Sequence, residues 1–537
     1  MSALTPFQEG IKLLSEGNAI EARRRLTEVW EGGGSDAGPA ARFIAHIDKS
    51  QRRFSDAIDI LEACLETVGD KAPALAQLSE LYMIMGDHQR AIDAASKSLL
   101  QAPNNAVTAL NLAIWQSNYA SEPSTIKSAF ERWCARYIQP ISSEIPLQDA
   151  EQATGAQPRP LRVGYVSGDL GNHPVRYFIE PYFRLHDNAR FEIHAFMTGA
   201  EDEISQLLKE WVPHWHNVKN LDDGALLSLI RSLEIDILLD LSGHTEASRL
   251  EVFAARAAPI QLTWWGFVHT LGMKEIDYRL TDFETCPSGA EAHYTEALCR
   301  MQCLTAYAPP VNCENQYPSP WQSNGYVTMI SLNHTRKISE ATLDCWQKIL
   351  AQNPKSGLII VTSETSEAEA NNFFIPRLVA HKFPMDRVSA VPRLSMLEFM
   401  NLASVADFAL DPFPVSGGVT TLHALWMGLP VLTLRPDTSI AMQTYSGNTL
   451  SSVGLHECVT TNTDEYVSRA SQWIQRPHLI DNLRESGRPS LIASPFLNHV
   501  DRVRELEACF EAMWQRFVND KPATDLNSSD IYPTKTH

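Results

Sequence analysis

The chain has 537 residues with 45 Lys and Arg against 64 Asp and Glu, a net charge of −19. That balance argues against the basic faces that nucleic-acid backbones require, while a few local cations suffice for small anionic ligands. Hydrophobic content of 44% and charged content of 20% indicate a globular chain of about three domains, without the roughly 20-residue apolar run of a membrane span.

The first 120 residues read as paired helices. GNAIEARRRL (Gly17–Leu26), RFSDAIDILEACL (Arg53–Leu65) and GDHQRAIDAASKSLL (Gly86–Leu100) place Ala22, Ala57 and Ala91 at spacings of 35 and 34. The third copy adds Leu78, Tyr82, Ala95, Ser98 and Pro103 at the small, large and breaker positions of a tetratricopeptide repeat. Stacked repeats form a concave surface for peptides or proteins, although a plain helical spacer would share the pattern. A helix with Trp133 and Tyr137 closes this region, expected at 1–138. The polar, Pro-containing IPLQDAEQATGAQPRP (Ile145–Pro160) marks a linker over 139–160.

Beyond the linker, short apolar runs alternate with helical segments. They are LRVGYVS (161–167), FEIHAFM (191–197), IDILLDL (235–241), IQLTWW (260–265) and YRLTD (278–282), then VTMISL (327–332), LIIVTS (358–363), FALD (408–411) and VLTL (431–434). The alternation predicts parallel, helix-covered α/β sheets. A break near Tyr307–Gly325 divides them into two Rossmann-like domains, 161–320 and 321–519, before a polar tail at 520–537 that reads as disordered.

The stretch LDPFPVSGGVTTLHALWMGLPVLTL (410–434) is the strongest local signal. Gly417–Gly418 lets backbone approach a ligand closely, Thr420 and Thr421 add hydroxyls, and a helix predicted over Thr421–Met427 ends at Gly428. A helix N-terminus is a ready anion site, so the layout suggests a bound nucleotide diphosphate; an ordinary strand-to-helix turn is the plainer reading. The nine cysteines show no CxxC pair. Cys299 and Cys303 could share a helix face but lack partners at metal-ligand spacing, so reduced core thiols are expected. MSALTPFQEGIKLL lacks a secretory-signal pattern, which points to the cytoplasm.

Six segments together resemble glycosyltransferase family 41, the enzymes related to protein O-GlcNAc transferase. They are LRVGYVSGDLGNHPVRYFIEPYF (161–183), ILLDLSGHTEASRLEVFAARAAPIQLTWWGF (237–267), IDYRLTDFETCPSGAEAHYTEAL (276–298), SLNHTRKISEATLDCWQKIL (331–350), ALDPFPVSGGVTTLHALWMGLPVLTL (409–434) and SPFLNHVDRVRELEACFEAMWQRF (494–517). The resemblance implies a GT-B fold and metal-independent, inverting transfer from a nucleotide sugar to a protein side chain. No separate cofactor and no metal ligand are expected, and the sequence has no Asp-x-Asp pair.

The same resemblance assigns roles. Lys337 matches the lysine that contacts the diphosphate, with Asn333 and His334 on its loop and Arg336 as a second cation or a solvated neighbour. Ser416, Gly417, Gly418, Val419, Thr420 and Thr421 would hold the diphosphate. His173 matches a histidine over sugar and acceptor, able to act as base or as hydrogen-bond donor. His244, Gly266 and His269 fall on the acceptor side, and of His214 and His216 one could reach the cleft while the other caps a helix. Departures affect the donor. Leu397, after Pro392 in VPRLSMLEFM, replaces a base-stacking histidine; His423 replaces an acidic ribose ligand. The Gly-Tyr-Pro-Gly turn reads Gly266-Phe267-Val268-His269, and RPDTSIAMQT lacks a Ser-Arg pair. UDP-GlcNAc leads as donor, ahead of UDP-glucose or another UDP-hexose and GDP-fucose. The acceptor would be Ser or Thr, or else Asn, on proteins presented by the repeats, with no nucleic acid or membrane partner and oligomerisation through the repeats left open. A non-catalytic, repeat-based binding protein would show the same departures.

Overall fold

The computed structural model describes residues 4–67, 69–119, 122–139, 141–148, 159–313, 316–362, 364 and 366–533. Residues 149–158 of the expected linker and 534–537 of the expected tail lie outside them.

Among the described residues, eight helices open the chain: α1 (Pro6–Ser15), α2 (Ala19–Gly32), α3 (Ala37–Ser50), α4 (Phe54–Thr67), α5 (Ala72–Met85), α6 (His88–Gln101), α7 (Ala106–Tyr119) and α8 (Ser124–Tyr137). Ala22, Ala57 and Ala91 are each fully buried, as close helix packing requires. The α5–α6 pair shows why the repeat pattern is needed. Gly86 ends α5 with φ +75°, and Asp87 caps α6 by accepting from Arg90 N–H at 3.2 Å. Ser98 Oγ donates to Ala72 O at 2.8 Å, so the small position also binds the partner helix.

Among the described residues, fourteen strands follow: β1 (Leu161–Ser167), β2 (Phe191–Met197), β3 (His214–Asn217), β4 (Ile237–Asp240), β5 (Ile260–Thr263), β6 (Tyr278–Asp282), β7 (Ala297–Met301), β8 (Thr328–Ser331), β9 (Gly357–Val361), β10 (Val388–Val391), β11 (Phe408–Leu410), β12 (Val431–Leu434), β13 (Val459–Thr460) and β14 (Leu526–Asn527). The first sheet has the order β14-β7-β6-β5-β4-β1-β2-β3, the second β10-β9-β8-β11-β12-β13. The first reverses direction at β1, flanked by β4 and β2 in parallel register. Loops after the C-terminal ends of such strands are where open α/β sheets bind ligands.

The chain divides into two compact units. One comprises residues 1–116, 328–394 and 412–414; the other comprises 117–327, 395–411 and 415–537. Helix α8 lies in the second unit because its face is shaped for it: Phe130 is fully buried and stacks on His244 at 5.0 Å, and Cys134 Sγ donates to Leu271 O at 3.1 Å. The polar segment after 519 does not remain wholly irregular. Asp525 accepts from Leu298 N–H at 2.8 Å, β14 pairs with β7, and buried Ser528 donates to Glu505. Cys299 lies in β7, not on a helix, and all nine cysteines are free and buried. Among the described residues no helix is long and apolar enough to cross a membrane.

Candidate active site

Two strand ends in the second unit use one device to shape the loops that follow them. Asp240, ending β4, accepts from Gly243 N–H at 2.8 Å and from Thr263 Oγ at 2.8 Å on the neighbouring strand β5. Asp411, just past β11, accepts from Gly417 N–H at 2.9 Å and from Thr433 Oγ at 2.7 Å on β12. Both carboxylates are buried, so each loop is held by a charge-assisted bond in a dry setting.

The Asp411 loop leads into a helix over Val419–Trp426 whose N-cap, Gly418, supplies no side-chain bond. A Cβ on Gly417 would sit 2.7 Å from Thr421 Oγ and 2.8 Å from Asp411 Oδ1, so glycine is required there. Gly418, Val419 and Thr420 are partly exposed; Ser416, Gly417 and Thr421 are buried beneath them. Ser446 ties the lower layer together: its N–H donates to Ser416 Oγ at 3.2 Å, and its hydroxyl lies 2.6 Å from Thr421 Oγ. The accessible layer therefore offers backbone at a helix start, which suits a phosphate.

His173 sits in the loop after β1, exposed, with Val175 N–H pointing at its Nδ1 from 3.4 Å and Asp169 3.8 Å away. Desolvation lowers its pKa, with Asp169 opposing, so the ring is neutral near pH 7. An Nδ1 that accepts from a backbone N–H leaves the proton on Nε2. In that tautomer His173 presents a donor rather than a base.

In the first unit, Lys337 closes a 3-10 turn, Thr335–Lys337, after β8. Asn333 is buried, Lys337 and Pro392 are half-buried, and His334 is exposed. Desolvation together with the charges of Arg336, Lys337, Arg52 and Arg393 lowers the His334 pKa to about 4. Arg336 and Lys337 lie on this turn itself, in a chain with net charge −19. The turn is braced from the repeats, where His88 Nε2 donates to Arg336 O at 2.7 Å. Arg377 holds Ile338 O at 3.0 Å, and a Cβ on Gly86 would meet that same carbonyl at 3.0 Å.

A sequence profile described as glycosyl transferase family 41 matches residues 124–308 and 306–502. The chain belongs to glycosyltransferase family 41. The SPINDLY protein of Solanum lycopersicum, named a probable UDP-N-acetylglucosamine–peptide N-acetylglucosaminyltransferase, is 32% identical over 366 residues, 67% of this chain and 39% of its own length. The Caenorhabditis elegans protein named UDP-N-acetylglucosamine–peptide N-acetylglucosaminyltransferase is 22% identical over 512 residues, covering 72% of this chain and 44% of that one. The chain spans about two fifths of the length of such relatives. Among solved structures, a lysine-to-methionine mutant of the Thermobaculum terrenum O-GlcNAc transferase superposes with a TM-score of 0.80 at 26% identity, over 96% of this chain and 98% of that one. The fold is accordingly GT-B, with parallel sheets behind a helical repeat region.

Several positions that the family 41 resemblance places at the site are buried in this unit. His244 is 3% exposed, stacked on Phe130 and edge-on to Trp133, with Nε2 donating to Leu271 O at 2.9 Å; burial lowers its pKa to about 4. It packs helix α8 onto the β4 loop instead of lining an open face. His269, also buried, lies 3.1 Å from Asn118 Oδ1, and its pKa falls to about 3 through burial and then Arg279. His423 turns inward, 2.7 Å from the Tyr307 hydroxyl and edge-on to Tyr177, so its ring does not replace the lost ribose ligand. Gly266 is fixed by sterics, since a Cβ there would lie 1.6 Å from Leu241 O. Leu397 is 56% exposed, an apolar surface where a stacking ring is expected. His214 and His216 lie on β3, neither capping a helix. Sequence reasoning missed Arg52 and Arg393, which reach the Lys337 turn only through the fold, and the paired Asp-Gly-Thr device, whose strand-Asp followed by Gly was legible.

Proposed function

We propose that this chain is an inverting, metal-independent protein glycosyltransferase that transfers GlcNAc from UDP-GlcNAc to Ser or Thr of proteins presented by its repeats in the cytoplasm. The observation that carries this reading is the Thr335–Lys337 turn after β8, which sets Lys337 beside Arg336 and is braced by His88 and Arg377. Transfer forms a bond from the acceptor oxygen to the anomeric carbon as the bond to the β-phosphate oxygen breaks, leaving its electron pair on the diphosphate. The barrier is largely that growing charge, and preorganised cations offset it without a divalent ion. By itself, the helix start at Gly418–Thr420 offers backbone N–H groups that suit a phosphate. His173, with Nε2–H outward, orients the sugar or acceptor, and the hydroxyl proton leaves to solvent or to a phosphate oxygen.

The relatives named as UDP-GlcNAc–peptide transferases support the donor and acceptor classes. The test is nucleotide release from UDP-GlcNAc, UDP-glucose and GDP-fucose by the purified chain in excess EDTA. Release of UDP from UDP-GlcNAc, faster than from the other donors, is the expected result. Preference for another donor corrects the sugar. Release only after magnesium or manganese is added contradicts the mechanism, and no release from any donor favours a repeat-based binding protein.

A further inference from the structure

One histidine-rich face of the second unit is not used by the proposed transfer. Strand β3 is the last strand of the first sheet, and its register with β2 sets His194 opposite His214 and Phe196 opposite His216. Residues two apart on a strand share a face, so Glu192 and His194 of β2 join His214 and His216 of β3 on one side. The His194 and His214 rings stack at 4.5 Å, and His194 Nε2 donates to Glu192 Oε1 at 2.9 Å. His194 Nδ1 is 3.2 Å from His216 Nε2. One donor atom from each of Glu192, His194 and His214 lies within 4.8 Å of the other two.

We propose that Glu192, His194 and His214 form a binding site for a divalent transition cation of the zinc class, clamping the edge strand β3 to β2. Two imidazoles and a carboxylate suit zinc, cobalt or nickel better than magnesium or calcium, which prefer oxygen ligands. Three protein ligands with an open fourth position is a common zinc arrangement. Binding turns the His194 and His214 rings out of their parallel stack so that both lone pairs meet one ion, which takes the place of the proton His194 donates to Glu192. Arg162, 3.3 Å from Glu192, is the competing cation. The cluster occupies the N-terminal half of β2 and the first residue of β3, whereas His173 and the Asp240 loop follow the C-terminal ends of β1 and β4. The site therefore serves the sheet edge rather than the transfer.

The full chain, stripped with chelator, is titrated with Co²⁺ by visible absorption and with Zn²⁺ by calorimetry. The nine buried thiols do not compete. One equivalent per chain should bind, and Zn²⁺ should raise Tm. His214→Ala, at an exposed position that should not disturb folding, is expected to weaken binding by at least about tenfold and abolish the Tm rise. His381→Ala, which removes a partly buried histidine paired with Glu340 and Asp344, should bind like the wild type. Absence of stoichiometric binding, or wild-type binding by the His214→Ala chain, overturns the site.

Discussion

Lys337 is half-buried in a turn whose backbone is held by His88 and Arg377, so its side chain can be removed with little cost to folding. Lys337→Ala should lower transfer by about 10²–10³-fold, the scale of one preorganised charge-stabilising group, while weakening UDP binding and leaving Tm unchanged. Turnover at the wild-type rate would remove Lys337 from the chemistry. His173 tests a different point. His173→Asn keeps a donor but cannot act as base, so it should retain far more activity than His173→Ala, which should lose about tenfold or more. Equal, deep losses in both variants would favour the base. His244 predicts a pH effect on stability. Burial lowers its pKa from the ordinary 6.5 to about 4 in the fold, so the unfolded chain binds the extra proton between those values. The stability from keeping it neutral is complete above pH 6.5 and is lost as pH falls toward 4, at about 1.4 kcal/mol per pH unit. His244→Phe, which fits the nest of Phe130, Trp133 and Phe267, should flatten the slope of urea-derived stability between pH 6.5 and 5 by that amount. An unchanged slope would show that His244 is already protonated or not buried.

At the scale of elements, the Asp411 loop and the Gly-rich helix act as one part. Asp411→Ala would release Gly417 N–H and the Thr433 hydroxyl in a buried place, at a cost of about 1–3 kcal/mol for each group left unpaired. A lower Tm with weakened UDP binding is expected, and UDP binding as tight as the wild type would separate the loop from the nucleotide. This helix was readable because Gly417, Gly418 and Gly428 punctuate it; the structure starts it two residues early, at Val419. Long apolar strands such as β1 and β2 were equally plain. The strands β3, β7, β10, β13 and β14 were not, because most are short edge segments with too few residues to show a period of two. Trp215 between His214 and His216 reads as a site motif, and only its pairing with β2 reveals a strand. Burial was the other hidden quantity. His244, His269 and His423 look alike in sequence to an exposed ligand such as His173, and only the packing of α8 and Tyr307 distinguishes them.

At the scale of the whole molecule, the repeats and the Lys337 turn share a compact unit, which changes how a truncation should behave. The repeat region read from the sequence ends at 138, with the Trp133 helix. Cutting there would also strip Phe130 and Trp133 from His244, so the sounder cut is before Ser117. Even that cut removes His88 from Arg336 O, and UDP binding should weaken along with protein labelling. His88→Ala isolates the bracing bond: its loss, about 1 kcal/mol, should raise the UDP Kd roughly fivefold without unfolding the chain. An unchanged Kd would make the brace structural only. The central claim is tested most directly by mass-spectrometric mapping of proteins from a desalted lysate incubated with UDP-GlcNAc, EDTA and the purified chain. The account predicts HexNAc on Ser and Thr with the wild type and none with Lys337→Ala; unmodified proteins with both, or equal modification by both, would contradict it.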